Sequence, residues 1–269
     1  MLTLQNVSAG YNGINVINNI SINLAEGENL CVIGPNGCGK TTLIKAISGI
    51  IPHKGTIEIN GVDIKKMKRK DMAKKIAVMG QISTIYFSYT IYETVLLGRY
   101  LHMKGKTFKE PSSKDKEYVD KCLKAVGLLH VKHKQINTLS GGQLQRVFLA
   151  RTLAQEPSII LLDEPTNHLD LKYQTELIEF LKNWSKEGNH SIIGVFHDLN
   201  LAMNLADNIL LLSNGNIAAY GSTEDVISSK LLNKVYGMNV RDYMIDSLKQ
   251  WECITDSYYS YKTKLRKIN

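Results

Sequence analysis

Residues 34–42 read GPNGCGKTT and directly follow the apolar run Leu30–Ile33. Three glycines in nine residues suit neither a strand nor a helix, because glycine gives up the most backbone freedom on folding. The order Gly34, Pro35, Asn36, Gly37, Cys38, Gly39, Lys40, Thr41 fits G-x-x-x-x-G-K-[ST], with a strand expected before it and a helix after. Such a loop curls until its N–H groups face phosphate oxygens, and the helix that follows adds its N-terminal partial positive charge. Lys40 can reach the β- and γ-phosphates, the Thr41 hydroxyl can ligate Mg²⁺, and Thr42 adds a phosphate contact. Cys38 occupies a variable position and receives no catalytic role. The stretch reads as a holder of a nucleoside triphosphate.

Two further segments narrow the reaction. In "IILLDEP" an apolar run delivers Asp163 and Glu164 to the carboxyl edge of a buried parallel strand, where ligands bind in such sheets. Adjacent carboxylates at a buried strand end are costly without a cation. Asp163 is therefore assigned to Mg²⁺ and Glu164 to polarising an attacking water. In "LSGGQLQRVFLARTLAQEP" Ser140 is a predicted N-cap, and Gly141, Gly142 and Gln143 open a helix. That helix start is a second place that favours an anion. One nucleotide does not need two phosphate-binding helix ends on one chain, whereas two chains set head to tail would use both.

The rest of the chain supplies context. Strand-like runs at Asn29–Gly34, Gly55–Gly61, Lys74–Gly80, Ser158–Pro165 and Ser191–Asp198 alternate with helical stretches, which predicts an α/β core. Asn208–Gly221 reads as a hairpin turning at Asn214-Gly215, and the middle, roughly Ile91 to Gln155, is mostly helical. The net charge of +8 suggests an anionic partner. The densest basic run, Lys65–Lys75, carries no interleaved aromatic for base stacking and reads as a solvated helix face, so no nucleic acid is expected. Cys31, Cys38, Cys122 and Cys253 match no zinc or redox spacing and read as reduced thiols; His130 and His133 are expected at the surface. The start "MLTLQNVSAGYNG" has no signal-peptide pattern, and no run reaches the roughly 18 apolar residues that a membrane span needs. The expectation is a soluble protein, or one held at a membrane by a partner.

With "GPNGCGKT", "LSGGQ" and "LLDEP" in that order, the chain resembles the ATP-binding subunits of ABC transporters from about Leu2 to Arg241. The resemblance implies a P-loop NTPase (RecA-like) core with a mixed sheet, an N-terminal antiparallel β subdomain and an α-helical subdomain inserted at roughly 85–155. It implies an ATP-binding domain over 1–241 and a C-terminal tail over 242–269. Tyr11 matches the aromatic that stacks on adenine, and Gln81 the glutamine that contacts Mg²⁺ and the attacking water. Asp170 matches the aspartate loop that crosses a dimer interface, and His197 the histidine that contacts the γ-phosphate. Gly80 stands where the family usually has proline, and Leu144 where a charged residue is commoner. "SYTIYETVLLGRYLH" (88–102) resembles the subgroup that serves ferric siderophore, haem and cobalamin importers. The implied protein hydrolyses ATP with Mg²⁺ as a homodimer, bound to transmembrane permease subunits and indirectly to a substrate-binding protein. Its implied place is the cytoplasmic face of the membrane, as a peripheral subunit. Import of cobalamin, haem or molybdate, and export, are the alternatives within the family.

Overall fold

A computed structural model describes residues 1–80, 89–103, 110–167, 169–228 and 230–252. The chain opens with β1 (Leu2–Tyr11) and β2 (Ile14–Leu24), joined by Asn12 and Gly13 at φ 52° and 79°. Paired left-handed residues of this kind match the twist of the strands they connect. Then come β3 (Asn29–Ile33), α1 (Lys40–Ile47), β4 (His53–Ile59), β5 (Val62–Asp63), α2 (Arg69–Lys75) and β6 (Ile76–Met79). The helices α3 (Ile91–Leu96), α4 (Ser113–Ala125) and α5 (Gly141–Ala154) occupy the middle of the sequence. After them β7 (Ile159–Asp163), α6 (Leu171–Gly188), β8 (Ser191–Val195) and α7 (Leu199–Leu205) alternate. The hairpin β9 (Asn208–Ser213) and β10 (Asn216–Ser222) precedes α8 (Thr223–Ile227) and α9 (Lys230–Tyr236), and residues 240–252 are helical.

Two sheets result. The order β2-β1-β4-β5 makes an antiparallel sheet, and β10-β9-β3-β8-β7-β6 a mixed one, parallel except for the β9–β10 hairpin. The central strands β3 and β8 are buried throughout, and β7 is buried up to Asp163. Their period of two divides the core. Leu30, Val32, Ile159 and Leu161 face the cluster that holds α1 and the antiparallel sheet; Cys31, Ile33, Ile160 and Leu162 face the cluster that holds α3 to α6. Each such side chain contributes about 1.5–3 kcal/mol on full burial, so these strands fix the frame on which the loops hang.

The helical middle has its own anchor. Arg99 is buried, 3.0 Å from Asp115 and 2.5 Å from Glu156, with its guanidinium 4.5 Å from the Tyr118 ring. Burial alone would raise the Asp115 pKa, but hydrogen bonds from Ser112 and the Arg99 charge pull it below the usual carboxylate range. The basic run behaves as the sequence predicts: α2 buries no residue. Among the described residues no helix is long and apolar enough to cross a membrane.

Candidate active site

The loop after β3 leaves its helix start open. Gly39 is the N-cap of α1 at φ 106°, and no side chain caps that end. An uncapped helix start leaves N–H donors for a ligand. The curl needs glycine at its first turn: Gly34 sits at φ 144°, and a β-carbon there would stand 2.2 Å from the Leu212 carbonyl oxygen. Lys40 is 5% exposed, and its Nζ donates to the carbonyls of Gly34 at 2.7 Å and Pro35 at 2.9 Å. Both of these partners are main-chain carbonyls and neither is a carboxylate, so an arriving phosphate would gain a charge-assisted partner that is already desolvated. The Cys38 thiol is pushed up by burial, opposed by the Lys40 charge.

Sheet order brings the acids to this loop. β8 lies between β3 and β7, and Asp163 stands in register with Val195. Thr41 Oγ1 donates to Asp163 Oδ1 at 3.0 Å. Burial raises the Asp163 pKa, the Thr41 hydrogen bond opposes this, and the Glu164 charge adds to it. A half-buried carboxylate beside a hydroxyl is the hard oxygen pair that a phosphate-bound Mg²⁺ takes up, so these residues fit that ion. Among the described residues no group of three or more His, Cys, Asp or Glu could hold a metal, and His130 and His133 are exposed.

Glu164 is held in an unusual posture. Its φ is 54°, and its N–H donates to the Val195 carbonyl at 3.2 Å. A left-handed non-glycine residue costs of order 1–3 kcal/mol and persists where its surroundings fix it. Both carboxylate oxygens are engaged: His197 Nε2 lies 2.6 Å from Oε1, and Asn167 Nδ2 donates to Oε2 at 2.5 Å. Sequence reasoning missed Asn167. Its signal was a polar amide in the turn that follows the acid pair, three residues after Glu164.

The other candidates lie at separate ends. Tyr11 closes β1 and is 42% exposed, and Lys45 Nζ is 5.8 Å from its ring centroid. Ser140 caps α5 in a capping box with Gln143, at 3.3 Å and 3.2 Å, and Ser140 and Gly141 are exposed. Asp170 caps α6, accepting from the Tyr173 N–H at 3.1 Å. Gln81, with the neighbouring stretch Tyr86–Ser88, lies outside the described residues. Lys40, Thr41, Asp163, Glu164 and His197 thus meet at one sheet edge, while Ser140 and Asp170 join none of their hydrogen bonds.

A phosphate loop after a central strand, with an acid pair on the next strand but one, defines a P-loop nucleoside triphosphatase. The ABC transporter family model matches residues 17–167. The ferric enterobactin transport ATP-binding protein FepC of Escherichia coli K12 is 35% identical over 235 residues, covering 87% of this chain and 86% of that protein. An inward-facing metal-chelate type ABC transporter superposes with a TM-score of 0.77 at 30% identity, covering 88% of each chain. A dimeric ATP-binding cassette in a post-hydrolysis state with ADP and Pi has a TM-score of 0.72 at 29% identity, covering 83% of this chain and 99% of that one. The chain belongs to the ABC transporter family, as an ATP-binding subunit with ATPase activity.

Proposed function

We propose that this subunit works as a head-to-tail homodimer. Each ATP would lie between Lys40 and Thr41 of one chain and Ser140–Gly142 of the other. The observation that carries this reading is the exposed start of α5, which stands apart from the hydrogen bonds of the phosphate loop. Head-to-tail pairing would bring it to a triphosphate; that the related post-hydrolysis cassette is a dimer with ADP and Pi supports a dimeric reading.

Within the closed site, Lys40 would turn from the Gly34 and Pro35 carbonyls toward the β- and γ-phosphates. Thr41 and Asp163 would hold Mg²⁺, with Gln81 contributing; bound there, the ion supplies neutralisation of developing phosphate charge. Tyr11 would stack on the adenine. His197 would release Glu164 and turn to the γ-phosphate. The freed carboxylate, steadied by Asn167, would then orient and polarise the attacking water. Asp170 would cross the interface. Most of the rate gain would come from positioning and electrostatics.

The transport reading is import of an iron-siderophore or related metal chelate, supported by the similarity to a ferric enterobactin transport subunit and to a metal-chelate type transporter. The subunit would sit on the cytoplasmic face of the membrane against permease subunits, with the stretch Tyr86–Ser88 gripping a permease helix and a binding protein delivering substrate. The cassette would span 1–241 with a helical subdomain at roughly 85–155, and 242–269 would be an appended tail.

The decisive experiment pairs Glu164→Gln with uptake. The variant should bind ATP, lose hydrolysis by about 10²–10⁴-fold, and elute as a dimer with ATP on gel filtration. Cells lacking the chain should recover labelled ferric-siderophore uptake with the wild type and not with the variant. Retained turnover would contradict the role of Glu164. Uptake independent of the chain would reject the iron cargo and leave the ATPase standing.

A further inference from the structure

Gln145 has no part in the chemistry above, yet it is 7% exposed on α5 and its amide holds a specific partner. Its Nε2 donates to the carbonyl oxygen of Pro165, the residue next to Glu164. The same two segments meet at two more points. A β-carbon on Gly142 would stand 3.2 Å from Leu169 Cδ2 and 3.8 Å from Tyr173 Cδ2. The Arg146 guanidinium lies 4.5 Å from the Tyr173 ring centroid. The first turns of α5 therefore pack against the stretch that begins at Glu164 and runs through Asp170 into the first turn of α6.

We propose that Gln145 is a positioning residue that links the two ATP sites within one chain. This rests on the head-to-tail reading above. In that dimer the start of α5 holds the partner's nucleotide, while Glu164 of the same chain serves the chain's own. Any shift of α5 on closing around the partner's ATP pulls on the Pro165 carbonyl. Pro165 has no N–H to anchor it from the other side, and Glu164 already sits in a strained left-handed backbone held through its N–H to Val195. A small displacement of Pro165 therefore turns the carboxylate. The loop also releases little free motion of its own, because Gln174 Nε2 holds the Thr166 carbonyl at 3.2 Å. The hydrolytic acid of one site thus reads the closure of the other.

The test uses the full chain with Gln145→Met, which keeps the volume and loses the donor. A second variant, Gln145→Glu, keeps the shape and turns an acceptor toward the carbonyl. Hydrolysis is measured against ATP concentration, with thermal melting alongside. The expected result is a kcat about tenfold lower and a Hill coefficient falling toward 1, with ATP KM within about twofold of wild type. The melting temperature of Gln145→Met should stay within a few degrees. Wild-type kcat and Hill coefficient in both variants would overturn the proposal. So would a large loss of melting temperature with a parallel loss of ATP binding in both, since the amide would then be packing alone. ATP-dependent dimerisation of Glu164→Gln keeps the readings apart. If that dimer forms while both Gln145 variants hydrolyse normally, the link is wrong and the dimer stands. If it does not form, the dimer reading falls and takes the link with it.

Discussion

Two helix starts, α1 and α5, carry glycine-rich sequence, and the protein finishes them differently. The start of α1 is buried, its N-cap is a left-handed glycine, and no side chain caps it. The start of α5 is exposed and closed by its own capping box, Ser140 with Gln143. At the first end the chain supplies a desolvated lysine, a hydroxyl and two strand-end acids around open donors. At the second it supplies a self-satisfied surface that costs little to leave in water. The first gathers its groups within one chain; on the head-to-tail reading proposed above, the second would become a site when the partner's nucleotide is placed on it.

The largest test of this contrast is Lys40→Met. It should lower hydrolysis by at least roughly 10²–10³-fold, the scale for removing one preorganised donor from a reacting charge. Binding of a fluorescent ATP analogue should weaken with it, because the single chain owns this contact. Next comes Ser140→Ala. Loss of the cap should cost about 1 kcal/mol in thermal or urea unfolding. Its hydrolysis should fall about tenfold at saturating ATP while single-chain nucleotide binding stays unchanged. Weakened binding in that variant would mean that α5 serves its own chain's nucleotide, and the contrast would collapse.

A pair of glycine changes sharpens the comparison from the side of stability. Gly39→Ala places a β-carbon 2.5 Å from Ile17 Cγ2 at φ 106°, so it should destabilise the fold by about 1–3 kcal/mol. Gly142→Ala meets Leu169 Cδ2 at 3.2 Å in ordinary helical backbone and should leave the melting temperature nearly unchanged while lowering hydrolysis. Tyr11→Ala is the smallest effect. Losing one stacking face of about 1 kcal/mol should raise the ATP KM about fivefold and leave kcat alone.

Much of this was legible because local chemistry repeats the global plan. The apolar strands, the Asn214-Gly215 turn, the phosphate loop and the Ser140 cap each declare themselves within a few residues. The N-terminal hairpin was not read strand by strand, although Asn12-Gly13 carries the same turn signal. Its strands are irregular, with register shifts after Leu4 and Val7 that blur the alternation.

What the sequence by itself determined is the inventory: a triphosphate loop, an acid pair at a buried strand end, and a second glycine-rich helix start with its own cap. These follow from spacing along the chain, which sets backbone curl and helix polarity wherever the segment sits. Only the tertiary structure decided that His197 and Asn167 hold the two oxygens of Glu164, and that Gln145 holds the neighbouring carbonyl. Two of those partners arrive from other elements, β8's end and α5. The third, Asn167, reaches back across a turn that starts at Glu164, whose left-handed backbone its residue type does not favour. Strand order and helix packing set such contacts, and neither is written in local spacing.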